Sequence, residues 1–503
     1  MKDKFIIFGG LIIYLIIGVY SVMHHEPWRD ELHSTMIAHS SNSLGELLKN
    51  KDFEGHPALW YFVLYGLKHF TLDWRATLWL NFAFAALSVT LVLFNAPFKT
   101  HQKVLIVLGY FFVYEYGTIA RNYAIELVFL FAICATFSLR FNLKGQVLIG
   151  LLLAILMQTN LYGLIMGCLL SCFLLWEIVI PMLKQKEFAK LAPILLLAGT
   201  PIIIGIVLSV LSITPPVNTG INKDHTSLMS LFRSLSTVWS AYVPIPTFNL
   251  HFWNENFFYL DSVFNGHFRT PFSILLLWVV TKLLRPNKIV LTLFWTGTII
   301  FLYFTLAKYP GFLRHHGHLY IWMLVCFWLK PIIEKTHFYD NSKPVKLPIV
   351  VRKYFFNGIL IAQCMATIVA VYLDGKYPFS RGEDVAKYLE KHGHEYQTII
   401  GHEDFSSETY AAYLNKKIYH VFIQDSAFYL VFTQKRNVYF EPSYIIDKVQ
   451  NLFPETEKVL LIYNSSLEDS THLPIHLVEK FEGAIVEDEQ YYLYRVDRKS
   501  KSN

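Results

Sequence analysis

Long apolar runs separated by short charged loops organise the chain up to residue 373. A helix needs about 20 apolar residues to cross the hydrocarbon layer of a membrane. Runs that approach or meet this length fall at 5–22, 76–95, 104–119, 123–139, 146–159, 161–180, 191–213, 271–284, 289–307, 317–330 and 354–373. The pattern predicts about eleven transmembrane helices. The stretch 146–180 is one continuous apolar run, divided here at the polar residues 158–160, and 271–284 is shorter than its neighbours. The first run follows Lys2, Asp3 and Lys4 as a secretory leader would. It exceeds a leader core in length and lacks a small-x-small cleavage pattern, so it reads as an uncleaved first helix.

The loops between the runs differ in charge. With the N-terminus on the cytoplasmic side, the inner loops hold 18 Lys and Arg in 59 residues, and the outer loops hold 11 in 122. Cationic residues collect in cytoplasmic loops, so the N-terminus is expected inside and the C-terminus outside. Two outer loops are then long, 23–75 and 214–270. The first contains the apolar, aromatic segment 58–70, too short to span and suited to lie along the interface as an amphipathic helix. The second is dense in Trp, Tyr, Phe, Asn and Pro, residues that anchor at headgroup level or wall a cleft.

Beyond residue 373 the period changes. Residues 374–503 carry a helical pattern, SRGEDVAKYLEKHG, and strand patterns, TIIGH, KVLLIYN and QYYLYRV. About 130 residues suffice for one small domain, so the expected architecture is a polytopic α-helical membrane body, 1–373, followed by an extracytoplasmic α/β domain, 374–503.

Composition agrees. The chain of 503 residues is 54% hydrophobic and 16% charged, with a mean hydropathy of +0.36. Soluble domains carry about 25% charged residues. The net charge of +6 follows the loop asymmetry and does not indicate a nucleic-acid partner. All five cysteines, at 134, 168, 172, 326 and 364, sit in apolar runs, which excludes a disulfide framework or a thiolate metal site.

The unusual polar residues gather on the outer side. The stretch HHEPWRDELHSTMIAHSSN places Asp30 and Glu31 at the mouth of the first helix, with histidines at 24, 25, 33, 39 and, further on, 56. Glu54 lies on the same loop. Glu115 and Arg121 flank the next outer turn, and Arg314, His315 and His316 end the ninth span. Ionisable groups at membrane depth are costly and mark function. Asp30 and Glu31 also suit a helix cap and a first-turn acid, and both arginines suit interfacial snorkelling. The RHHGH cluster has no fixed metal-ligand spacing. A carboxylate at an outward cleft suits a general base toward an acceptor hydroxyl, and arginines suit the phosphate of a leaving group. The combination fits sugar transfer from a polyprenyl-phosphate carrier. No P-loop or G-x-G-x-x-G fingerprint is present.

The acidic DE after helix one, GHPALWY opening an amphipathic helix, ARNYAIEL starting a span, RHHGHLY, and YPFSRGEDVAKYLEKHG together resemble the GT-C glycosyltransferases. The similarity is to the bacterial branch near dolichyl-phosphate-mannose protein mannosyltransferases and aminoarabinose transferases, family 39-like. The resemblance implies Asp30 as catalytic base and Glu31 as its helper in acceptor or metal contact. It further implies Arg121 and Arg314 on the carrier phosphate and His56 shaping the site. Tyr123 and His315 fall in the same motifs, and Glu115 five residues before ARNYAIEL, as substrate-binding candidates. It assigns no metal ligands, though a divalent cation is compatible with it. It implies a polyprenyl-phosphate-linked monosaccharide donor, a lipid, glycan or protein acceptor, an inverting single displacement, and a bacterial inner membrane with a periplasmic site. Loop 214–270 is too short for the β-trefoil repeats usual in protein mannosyltransferases. The rival reading is a transporter or flippase of a lipid-linked glycan, which would share the cleft and the arginines without needing the acid pair.

Overall fold

The computed structural model describes residues 2–214, 228–258, 268–336, 347–402, 405–421, 423–431, 441–454, 458–467 and 473–497. The segments 215–227 and 259–267 of the second long loop, and 337–346 of the last inner loop, lie outside the described residues.

Six described helices are long and apolar enough to cross a membrane: Lys2–His24, Arg75–Asn95, Leu161–Lys184, Phe188–Ile213, Lys288–Ala307 and Ile349–Asp374. Tyr123–Leu139, Leu143–Leu156 and Thr270–Leu284 are shorter apolar helices. Their outer faces expose Ile16, Ile203 and Ile368, each more than 60% accessible, where a soluble protein would place charge. Such a surface faces hydrocarbon, and the chain is an integral membrane protein.

In chain order the helices are α1 (Lys2–His24), α2 (Arg29–Ser40), α3 (Leu44–Asn50), α4 (Leu59–Leu67), α5 (Arg75–Asn95), α6 (Thr100–Val107), α7 (Tyr123–Thr136), α8 (Leu143–Leu156), α9 (Leu161–Leu174), α10 (Ile180–Lys184), α11 (Phe188–Ile194), α12 (Thr200–Ile213), α13 (Leu228–Tyr242), α14 (Thr270–Leu284), α15 (Lys288–Ala307), α16 (Leu313–Glu334) and α17 (Ile349–Asp374). The division expected at 158–160 is real. α8 stops at Leu156, and the Asn160 side chain caps α9 by accepting from Gly163 N at 2.9 Å. The span expected at 104–119 is interrupted, because α6 gives way to a π-helical turn, Phe111–Glu115.

One segment departs from the sequence reading. Within 214–270, taken above as an outer loop, α13 packs against α14, α15 and α16. Its C-terminal carbonyls, Ala241 and Tyr242, accept from the Gln363 amide, which lies about halfway along α17. The chain therefore re-enters the helical body and returns through 243–258. Non-helical backbone is tolerated at such depth only where protein surrounds it. Here Val243 O is met by Asn256 Nδ2 at 2.9 Å.

After α17 come α18 (Gly382–His392), α19 (Ser407–Leu414) and α20 (Pro442–Leu452) around a six-stranded sheet. The strands are β1 (Thr398–Gly401), β2 (Ile418–His420), β3 (Asp425–Ala427), β4 (Val459–Tyr463), β5 (Ile475–Phe481) and β6 (Tyr491–Val496), in the order β3-β2-β1-β4-β6-β5. β1 runs parallel to β2 and β4, and the other pairs are antiparallel. The three strand patterns and the helix read from the sequence are β1, β4, β6 and α18. The central β4 is buried along its whole length, as a strand covered on both faces must be.

α7 and α9 both start at the outer side and end together at the other face. There Arg140 donates to both Glu177 oxygens, at 2.6 and 2.8 Å, to Thr336 Oγ1 at 2.9 Å and to Phe137 O at 3.2 Å. Removing one member of a buried ion pair costs about 3–5 kcal/mol, whereas replacing both by apolar groups is nearly neutral. Glu177→Gln should therefore lower the melting temperature of the detergent-solubilised protein more than the double change Arg140→Met with Glu177→Leu. A double variant as unstable as the single one would refute this account.

Candidate active site

α2 begins five residues after α1 ends, at the outer surface. Neighbouring residues on a helix point about 100° apart, so Asp30 and Glu31 cannot share one environment. Glu31 turns inward and is 2% exposed. Its Oε2 accepts from His25 Nε2 at 2.9 Å and from Trp28 N at 3.2 Å, and its Oε1 accepts from Ala120 N at 2.6 Å. The His25 Nδ1 bonds Asp374 Oδ2 at 2.8 Å. Burial alone would lower the His25 pKa, but Asp374 and then Glu31 outweigh it and raise it well above the usual histidine value. One imidazolium thus ties the ends of α1 and α17 to the start of α2. The structure places Glu31 in this knot, away from the cavity and from any acceptor.

Asp30 faces outward into a cavity of about 1070 Å³. Its Oδ2 accepts from Arg314 Nη2 at 2.9 Å and lies 3.5 Å from Arg121 Nη1, which also donates to the Asp30 carbonyl. Burial would raise the Asp30 pKa, yet Arg121, Arg314 and Arg29 together hold it below the ordinary carboxylate value. Arg314 is 6% exposed and stacks against Trp28, Trp253 and Phe312, with centroids 4.9–5.5 Å away. Its Nε and the Trp28 Nε1 are buried without a hydrogen-bond partner. α16 approaches closely here: a Cβ on Gly317 would lie 2.3 Å from the Phe111 ring.

The other expected residues divide. His56, Tyr123 and His315 line the same cavity. The His56 Nδ1 has no partner, and burial, then Arg121, lowers its pKa to about 4. His315 Nδ1 accepts from Phe312 N at 2.9 Å and so caps its own helix. Glu115 does not reach the cavity lining. It sits on the π-helical turn behind Trp253, accepting from Tyr110 OH at 2.6 Å and from Trp253 Nε1 at 3.3 Å. The histidines of RHHGH part company, with His316 on Pro310 O at 2.8 Å and His318 on Glu126 at 3.0 Å. Among the described residues no three His, Cys, Asp or Glu side chains form a group that could hold a metal.

Two groups were absent from the sequence-derived site. His33, one turn after Asp30, lies between Glu408 and Glu54, 2.7 Å from each. Burial opposes its charge, but Glu408 and Glu54 raise its pKa well above normal. Burial opposes the Glu54 charge too, yet His33 lowers that pKa. Burial raises the Glu408 pKa despite His33. Arg29 donates to Asp488 at 2.7 Å and Glu489 at 3.1 Å and stacks on Phe405. Phe405, Glu408, Asn464, Ser465 and Asp488 make the sheet domain one wall of the cavity. The i, i+3 spacing of Asp30 and His33 was a readable signal; nothing local pointed to the sheet-domain residues.

This geometry can be compared with solved structures. ArnT from Cupriavidus metallidurans bound to undecaprenyl phosphate matches with 14% identity, a TM-score of 0.51 and 97% of each chain covered. The apo state of the same protein matches with 12% identity, a TM-score of 0.53 and 98% of each chain covered. The chain has the fold of ArnT. No protein-family model and no curated protein match the sequence. The likeness in fold to these two structures thus extends over nearly the whole chain.

The His25 knot makes a pH prediction. Its folded pKa is raised, so its stabilisation is complete below the ordinary value of about 6.5 and fades as pH rises through the folded value. The melting temperature should fall on the alkaline side. His25→Gln should lose about 3 kcal/mol at neutral pH and show a smaller alkaline fall. An unchanged alkaline slope in the variant would contradict this origin.

Proposed function

We propose that the protein is a glycosyltransferase that moves a monosaccharide from a polyprenyl-phosphate carrier to an extracytoplasmic acceptor. The observation that carries this reading is the Asp30 carboxylate on the cavity wall, shared between Arg121 and Arg314. The GT-C fold supports it, as does the undecaprenyl phosphate bound by a structural neighbour. On this reading the membrane is the bacterial inner membrane, the cavity is periplasmic, and the acceptor is a lipid, a glycan or a protein.

The chemistry is a single displacement. An acceptor hydroxyl gives its proton to Asp30 as its oxygen bonds the anomeric carbon. The bond from that carbon to the phosphate oxygen breaks, and polyprenyl phosphate leaves with the electron pair. The configuration inverts. Arg314 and Arg121 meet the charge that grows on the phosphate, and the unpartnered Arg314 Nε and Trp28 Nε1 offer further donors. The arginines depress the basicity of Asp30. A phosphate that draws them away restores it, so the base gains strength when the donor is in place. Glu31 acts as a positioning residue, and Tyr123, His56 and His315 shape the cavity.

Release of free polyprenyl phosphate from a panel of polyprenyl-phosphate sugars, with envelope extract as acceptor, tests the reading. Asp30→Asn should lower turnover by roughly 10²–10⁴-fold with little change in melting temperature. Equal release by wild type and variant would remove Asp30 from the mechanism. No release from any donor would favour the transporter.

A further inference from the structure

A second cavity, of about 350 Å³, lies at the other end of the membrane body. α8, α9 with the turn after it, and α11 to α12 form its walls. Its polar side chains are Arg140, Gln146, Ser171 and Cys172. α9 starts at the candidate active site with Tyr162 and reaches this second cavity with its last turns, so the two spaces sit toward opposite membrane faces.

Three features show a built space. Two π-helical turns, Leu175–Val179 and Leu195–Gly199, both contribute to its lining. Such turns widen a helix by one residue and recur at functional sites. The helices are pinned beside it: a Cβ on Gly150 would fall 2.6 Å from the Ala198 carbonyl oxygen, and one on Gly205 2.8 Å from Ala154 Cα. The gap therefore cannot close by sliding α8 along α12. Gln146, 7% exposed, lines the space, and its buried Oε1 is unpartnered.

The surroundings identify the occupant. Leu195, Ile203 and Leu175 line the space and are 47–63% accessible, so it opens sideways to hydrocarbon. Exposed Lys144, Lys184 and Lys186 stand at the same membrane face. The Arg140 charge is neutralised by its two-point pair with Glu177 and four of its five N–H donors are taken, which leaves the lysines to meet a headgroup phosphate. An unpartnered amide oxygen inside a bilayer calls for a donor such as a hydroxyl.

We propose that this cavity binds one anionic glycerophospholipid of the leaflet opposite the candidate active site. An acyl chain fills the apolar space, a headgroup hydroxyl donates to Gln146 Oε1, and the phosphate faces Lys144 and Lys184. The site is independent of the transferase reading.

The test is native mass spectrometry of the full-length protein exchanged into detergent with dioleoyl phosphatidylglycerol or dioleoyl phosphatidylethanolamine. The wild type should retain one phosphatidylglycerol in preference to phosphatidylethanolamine. Gln146→Leu, which removes one hydrogen bond, should weaken retention by about tenfold. Cys172→Phe should abolish retention by filling the cavity. Leu148→Phe, on the exposed face of α8 outside the cavity, should leave it unchanged. No retained lipid in the wild type, equal retention by all variants, or no preference for the anionic lipid would overturn the proposal. Displacement of the retained lipid by added undecaprenyl phosphate would overturn it in favour of a second carrier site.

Discussion

A buried imidazolium between two carboxylates sets the geometry of the outer face. His25 sits between Glu31 and Asp374, and charges out of water persist only when their partners are held in place. The end of α1, the start of α2 and the end of α17 are fixed relative to one another as a result. Glu31 also anchors the Ala120 amide, which fixes the loop that carries Arg121. With Glu31 committed inward, helical geometry leaves Asp30 aimed into the cavity, against that same arginine. The two adjacent acids depend on each other: one is immobilised so that the other can be presented.

α2 also joins the membrane body to the sheet domain. Arg29 and His33, one turn apart, bond Asp488, Glu489 and Glu408, and Asp30 lies between them in sequence. Glu489 is itself held by Ser380, Thr409 and Tyr491. The sheet domain therefore closes the cavity through charges that originate on the helix bearing Asp30. A displacement of that domain would reach Asp30 through a single helix, without passing through the membrane spans.

Much of this was legible in sequence because periodicity and hydropathy are local. The apolar runs, β1, β4, β6 and α18 were read from their own residues, and Asp30, Arg121 and Arg314 from ionisable groups at membrane depth. α13 was not, because its segment, LMSLFRSLSTVWSAY, mixes Ser and Thr among its apolar residues. Those hydroxyls are buried against neighbours, as when Ser234 donates to Leu302 O, and the neighbours come from distant parts of the chain. Glu115 misled for a related reason. Its position at the end of a span suggested the cavity, but the π-helical turn directs it behind Trp253. Which of Asp30 and Glu31 faces the cavity depends on His25 and Ala120, and no spacing rule contains that information.

The membrane body holds two arginine–carboxylate arrangements, one buried and one on the cavity wall, and their difference separates framework from site. Arg140 and Glu177 meet as a two-point pair, and Thr336 and Phe137 take up further donors. Such a pair is charge-neutral and has four of its five N–H donors already in use. At the other face one carboxylate serves two arginines, Arg314 keeps a buried Nε without a partner, and the Trp28 indole beside it is also unbonded. Buried polar groups left unsatisfied are destabilising, and a fold retains them where a ligand completes them. The deficit beside Asp30 consists of donors, next to the guanidinium groups of Arg121 and Arg314, so an acceptor bearing negative charge would complete it. A phosphate satisfies that requirement, in keeping with the carrier proposed above.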